Sequence, residues 1–221
     1  MKKQFTTLSI SDFTDELSSV SPVPGGGGAS ALSAALGASL SGMVLELTTG
    51  KKKYAEYQDE ISDLLGKLKS LRIRLLQGID KDAEAFEPLS KAYGLPKDTP
   101  EEKEKRDVIM EQALKDAALA PLALMEDILE ALRMTERVSL IGSRLAISDA
   151  GAAAQLLGAS MKAASLNVFI NTKLMKDNDT ADKMNKKADE LIKEAEEISK
   201  RAYDNVLSSI RLRKNSCRTL Y

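Results

Sequence analysis

Apolar side chains recur along the chain in steps of three and four, and no stretch sustains the two-residue, β-branched alternation that marks strands, so the pattern predicts an all-α fold. Ser9-Ile10-Ser11-Asp12 has capping-box spacing and opens a short helix to about Ser18. Pro22 and Pro24 are expected to hold Val20–Pro24 and the four glycines behind it extended, after which a helix of small residues runs from about Ala29 to Leu47. A long amphipathic helix begins near Tyr54, carries Ile61, Leu64, Leu68, Leu71, Leu75, Ile79 and Phe86 along its seam, and stops near Gly94. Thr99-Pro100-Glu101-Glu102 then sets Thr at an N-cap, Pro at the first helical position and Glu at N3. That helix runs toward Glu136, and Pro121 within it is expected to kink or break it by depriving the Ala117 carbonyl of its partner. A second small-residue helix follows Ser148-Asp149, which reads as a cap, and reaches about Met175; a last helix rich in Lys and Glu spans Thr180 to about Arg213.

Ser33, Gly37 and Ser41 fall at every fourth place of the first small-residue helix, which lets another backbone approach closely. The predicted architecture is an irregular up-and-down bundle of long helices around two small-residue (Ala/Gly/Ser) central helices, with residues 1–221 forming one domain that pairs as a dimer. The uncharged stretch from Gly25 to Leu45 is long enough to raise the question of a membrane span. Its Gly, Ser and Ala content carries little lipophilicity, so it reads as a packed helix of a soluble protein with no membrane partner.

Composition narrows the chemistry. Thirty-two Lys and Arg against thirty-three Asp and Glu leave a net charge of -1, so no global field draws the chain to nucleic acid or to an anionic membrane. The absence of histidine removes Ser-His and Cys-His relays and imidazole acid-base work, leaving carboxylates, lysines, tyrosines or a perturbed amine as proton carriers. A single cysteine, Cys217, excludes an internal disulfide and a cysteine metal cluster. MKKQFTTLSI has no apolar core of a secretory signal, and the cytoplasm is the expected compartment.

Asp82 breaks the pattern. It follows Leu75 and Ile79 and precedes Phe86 in steps of four, three and four, standing on the buried seam where an apolar residue is expected. A carboxyl desolvated there has a raised pKa suited to proton transfer; a buried ion pair or an interhelical hydrogen bond is the structural alternative. Asp80 points about 160° away and reads as a secondary group. Asn167 and Asn171, four apart, project from one side of their helix and suit either the edge of a heterocycle or a core contact. Glycines 25 to 28 lead into a helix N-terminus, a weak anion signal without the ending of a phosphate loop. Lys51, Lys52 and Lys53 form a basic cluster, either a solvated face or an anion clamp. A magnesium site from Asp80, Asp82, Glu84 and Glu87 lacks an acidic partner motif, and no metal is expected.

Ser21-Pro22-Val23-Pro24-Gly25-Gly26-Gly27, Leu47-Thr48-Thr49-Gly50-Lys51-Lys52-Lys53-Tyr54, Asp80-Lys81-Asp82-Ala83-Glu84-Ala85-Phe86, Ser148-Asp149 and Asn167-Val168-Phe169-Ile170-Asn171, in this order, resemble the formiminotetrahydrofolate cyclodeaminase and methenyltetrahydrofolate cyclohydrolase family across nearly the whole chain. The resemblance implies an all-helical homodimer acting on the one-carbon unit of a tetrahydrofolate derivative, with Asp82 as proton donor and no cofactor beyond the folate. It further implies substrate contacts from Pro24, Gly25, Gly26, Gly27, Lys52, Lys53, Tyr54, Ser143, Ser148, Asp149, Asn167 and Asn171. In that reading the glycine turn and Lys52 or Lys53 receive the carboxylates of a folate tail, polyglutamylated or not, while Asn167 and Asn171 face the pterin. Family members often carry Gly-Asn where this chain has Gly142-Ser143, a shorter hydroxyl in place of an amide. Leu95 to Lys103 is similar to the cyclodeaminase half of bifunctional formiminotransferase enzymes, which sets deamination narrowly ahead of hydrolysis. The rival from another class is a non-catalytic helical dimer in which Asp82 sets register.

Overall fold

The computed structural model describes residues 4–211, and Cys217 and the expected helix end at Arg213 lie outside them. The described residues form α1 (Ile10–Leu17), α2 (Gly26–Glu46), α3 (Gln58–Tyr93), α4 (Pro100–Ile141), α5 (Ile147–Thr172) and α6 (Asn178–Arg211), with 3-10 turns at Phe5–Thr7 and Lys52–Tyr57, and contain no strand. Thr99 caps α4 as its sequence requires: its hydroxyl accepts from the Glu102 N–H, and the Glu102 carboxylate accepts from the Thr99 N–H. Ser9 likewise accepts from the Asp12 N–H at the start of α1.

From α2 onward each helix packs antiparallel on the next, so the bundle runs up and down. Gly27 meets Asp82 and Gly78 meets Ala31 between α2 and α3. Arg74 pairs with Asp127, and Arg137 with Glu60 through two bonds of 2.5 and 2.8 Å, between α3 and α4. Asn171 bonds Ala117 between α4 and α5, and Gly151 meets Val206 between α5 and α6. Close approach decides how α2 sits on α5: a Cβ on Gly37 would lie 2.8 Å from Leu157 Cγ and 3.1 Å from the Ala153 carbonyl oxygen. Gly26 lies by Asn167 at one end of this pair, so α2 and α5 are also antiparallel. Leu45, Leu71, Leu75, Ile128, Leu132 and Leu157 are fully buried in the shared core. Ser41 and Thr135 answer each other inside it, hydroxyl to hydroxyl at 2.8 Å.

Several boundaries differ from the sequence reading. α2 begins at Gly26, so three of the four glycines are helical rather than extended, because a carboxylate from α3 accepts at this helix start. The chain from Lys52 to Tyr57 is a 3-10 turn, and the long helix starts only at Gln58. α4 passes through Pro121 unbroken and continues to Ile141; the Ala117 carbonyl that Pro121 leaves without its helical partner accepts instead from Asn171. Ser148 does not cap α5: Ala146 is the N-cap, without a side-chain bond, Ser148 is exposed in the first turn, and Asp149 stands there as the acid the helix dipole favours. By length and composition α2 could cross a membrane, and 56% of its apolar window is buried against neighbouring helices.

Candidate active site

Asp82 lies about two thirds of the way along α3, and α2 presents its N-terminus to it. Gly25 is the N-cap of α2 and has no side chain to satisfy the first-turn N–H groups. The Asp82 carboxylate supplies the missing acceptor: the Gly28 N–H donates to Oδ2 at 3.1 Å. Such contact needs glycine at position 27, where a Cβ would stand 2.0 Å from Asp82 Oδ1. Two forces act on the acid. Desolvation raises its pKa above the ordinary value of 3.8 and is the larger; the Gly28 N–H, which favours the charged form, opposes it. The interhelical hydrogen bond foreseen as the structural alternative is therefore real, and the displaced pKa remains despite it.

Beside Asp82 is a cavity of about 240 Å³. Pro22, Val23, Gly25 and Gly26 form one side, Phe86 and Ala117 add apolar surface, and Asn167 and Asn171 close it from α5. Pro24, buried behind the loop, follows a cis Val23–Pro24 peptide. Among the described residues, Asp82 is the one ionisable group in the lining. The volume is below the roughly 300–1,000 Å³ that encloses a drug-sized ligand, which suits the ring system at one end of a larger molecule. A carboxyl of raised pKa facing paired amides across such a space can exchange a proton and offset a positive charge, while the amides orient a heterocycle. Asp80 takes no part: its oxygens accept from the Phe5 N–H and the Thr6 hydroxyl, each at 2.6 Å, and tie down the N-terminal turn. Asp80 and Asp82 thus face different partners, which divides the acidic run once weighed as a magnesium site.

The remaining sequence-predicted residues gather elsewhere. Lys52, Lys53 and Tyr54 follow the C-terminal end of α2, and Ser143, Ser148 and Asp149 stand at the start of α5. Ser148 and Asn167 are nineteen helical steps apart, about 28 Å at 1.5 Å per residue. Within one chain the predicted contacts therefore form two clusters at opposite ends of the α2–α5 pair, not one site. In the second, buried Ser143 donates its N–H to Thr48 Oγ1 at 2.8 Å and accepts from Lys51 Nζ at 2.9 Å, while the Arg144 N–H donates to the Tyr54 hydroxyl at 3.1 Å. Lys53 Nζ lies 5.6 Å from the centre of the Tyr54 ring. The short Ser143 side chain leaves room for Lys51, which sequence reasoning had grouped with the lysines but not with Ser143. Pro22, Val23 and Ala117 were missed as cavity lining, whereas Phe86 stands beside Asp82 as the seam spacing predicts; for Ala117 the signal was Pro121, four residues on.

The family model described as formiminotransferase-cyclodeaminase matches residues 9–190. A methenyltetrahydrofolate cyclohydrolase of Methylorubrum extorquens is 41% identical over 201 residues, covering 91% of this chain and 97% of that protein. The formimidoyltransferase-cyclodeaminase of Sus scrofa is 34% identical over 166 residues, covering 75% of this chain but 31% of that protein, so the chain matches about a third of the bifunctional enzyme. Among solved structures, a formiminotetrahydrofolate cyclodeaminase of Thermotoga maritima superposes with a TM-score of 0.82 at 27% identity, covering 92% of this chain and 98% of that one.

Proposed function

The chain belongs to the formiminotransferase-cyclodeaminase family of folate one-carbon enzymes, and from that membership we propose that it hydrolyses 5,10-methenyltetrahydrofolate to 10-formyltetrahydrofolate, with Asp82 as the proton carrier. The observation that carries the reading is the lone, partly desolvated carboxyl at position 82 in a cavity otherwise lined by apolar groups and amides. The methenyl bridge is cationic, and a carboxylate without a competing cation favours it electrostatically. Asp82 then takes a proton as water adds to the bridging carbon. The bond from that carbon to N5 opens; of the water's two protons one ends on N5 and the other leaves through Asp82. Asn167 and Asn171 hold the pterin so that the bridge meets the acid.

Cyclodeamination of 5-formiminotetrahydrofolate is the second reading, favoured by the near-full-length match to the Thermotoga maritima structure. There N10 attacks the formimino carbon, and Asp82 protonates the departing ammonia. The resemblance of Leu95 to Lys103 to the cyclodeaminase half placed this reaction narrowly first; the 97% coverage of the cyclohydrolase supports reversing that order. The two separate in one absorbance experiment, because the methenyl form has a chromophore that neither 5-formimino- nor 10-formyltetrahydrofolate shares. We expect purified protein to bleach methenyltetrahydrofolate faster than buffer does; formation of the chromophore from the formimino compound without bleaching would favour deamination, and neither change would refute both.

The same reading includes a homodimer in the cytoplasm, with no metal and no cofactor other than the folate. Leu36 and Met43 of α2 and Leu166 and Ile170 of α5 are exposed on helices of low charge, which supports pairing with a second copy across that face. Two copies related by an axis across the helices would carry the Lys52–Lys53 end of one toward the Asp82 end of the other. Lys52 and Lys53 then meet the carboxylates of a folate tail. Neutralising both with Gln is expected to raise KM about tenfold for polyglutamylated substrate and little for the monoglutamate. At subsaturating polyglutamylated substrate, dimers mixed at random from this double variant and Asp82→Asn should reach roughly a quarter of wild-type kcat/KM, against about a twentieth for the unmixed pair; no gain on mixing would place the two clusters' work within one chain.

A further inference from the structure

The amides of Asn167 and Asn171 differ in freedom. Asn171 Nδ2 donates to the Ala117 carbonyl of α4 at 3.0 Å and to the Asn167 carbonyl at 2.8 Å, so both of its N–H groups are committed. Both partners are carbonyl oxygens, which accept only, so the amide cannot be reversed without losing both bonds. The Ala117 oxygen receives no helical N–H, because residue 121, four places on, is a buried proline, so the Asn171 amide bonds it without a competing donor. Any other residue there would aim a helical N–H at that oxygen. Among the described residues Asn171 Oδ1 has no hydrogen-bond partner, and the side chain lines the Asp82 cavity.

We infer that Pro121 is a positioning residue: by leaving the Ala117 carbonyl open it locks the Asn171 amide with its oxygen toward the ligand, so that this wall of the cavity selects an N–H donor on the bound heterocycle. The identity of the reaction rests on the function proposed above; the lock itself does not. A pterin meets the requirement, since its pyrimidine ring carries an N–H beside an amino group. A ring presenting an acceptor at the same place would face oxygen against oxygen and leave two buried acceptors unpaired. The proline thus serves recognition at the expense of helix regularity, and its removal is expected to move stability and binding in opposite directions.

Pro121→Ala tests this. The variant should melt at or above the wild-type temperature, since a helix-interior proline is replaced by the best helix former. It should raise KM for methenyltetrahydrofolate roughly three- to tenfold, the value of one ordinary hydrogen bond, with kcat within about twofold. The side-chain amide protons of Asn171, followed by NMR in ligand-free protein, should exchange with solvent faster and shift toward the values of a free amide. An unchanged KM in an active enzyme, or amide signals identical to wild type, would overturn the inference. Wild-type protein inactive on both folates would refute the proposed reaction, while the amide signals alone would still decide the lock.

Discussion

Asp82→Asn is expected to lower turnover by about 10²- to 10⁴-fold, the usual contribution of a positioned acid-base group, while the protein folds and melts a few degrees higher at neutral pH. The two effects share a cause. Burial lifts the folded-state pKa of Asp82 above the ordinary value of 3.8. Between those two pKa values the native state binds more proton than the unfolded chain, so Asp82 lowers stability progressively as pH rises through that window. Above the window the cost is complete; below the ordinary value it is absent. Asparagine bears no such cost and still offers an oxygen to the Gly28 N–H. Its advantage should therefore be full at neutral pH and vanish in acid, as thermal melts of both proteins across pH would show. If Asp82 served only to cap α2, the variant would keep its turnover.

Gly27→Ala is the second large effect. The added methyl would stand 2.0 Å from Asp82 Oδ1, 2.3 Å from Cγ and 2.6 Å from Oδ2, so the carboxylate must move by more than an ångström or the start of α2 must be pushed from α3. Displacement of that size at a reacting group costs on the order of 10²-fold in kcat/KM. The overpacking should also cost about 1–3 kcal/mol. Gly66→Ala is the matching control: it too exchanges a helical glycine, but nothing lies within 4 Å of the new methyl. It should leave kcat/KM unchanged and raise stability by roughly 0.5–1 kcal/mol. Equal kinetics for the two variants would remove Gly27 from the site.

Much of this was legible because it is local. The Thr99 capping box, the small-residue helices and the breach of the apolar seam at Asp82 depend on residues within a turn or two of one another, and periodicity reads such distances directly. What escaped depends on partners far along the chain. The glycine run looked extended because Pro22 and Pro24 precede it, but Asp82, 54 residues away from Gly28, accepts at the start of α2. Pro121 looked like a break because its helix loses an N–H, and Asn171, 54 residues from Ala117, occupies the carbonyl so freed. Ser148 looked like a cap because its type is right; the turn after α4 instead sets the N-cap at Ala146, whose N–H donates to the Ser143 carbonyl. The division of the contacts into two clusters follows from the antiparallel lie of α2 and α5, which motif order along a chain does not record.

The pH dependence of kcat/KM on methenyltetrahydrofolate, corrected for the uncatalysed rate, tests the role of Asp82 most directly. With Asp82 as the base for hydrolysis, the rate should climb as the carboxyl ionises, at a pKa clearly above 3.8, and level off beyond it. The residual rate of folded Asp82→Asn should lack that limb. The same limb in both proteins, or full turnover by the variant, would contradict it.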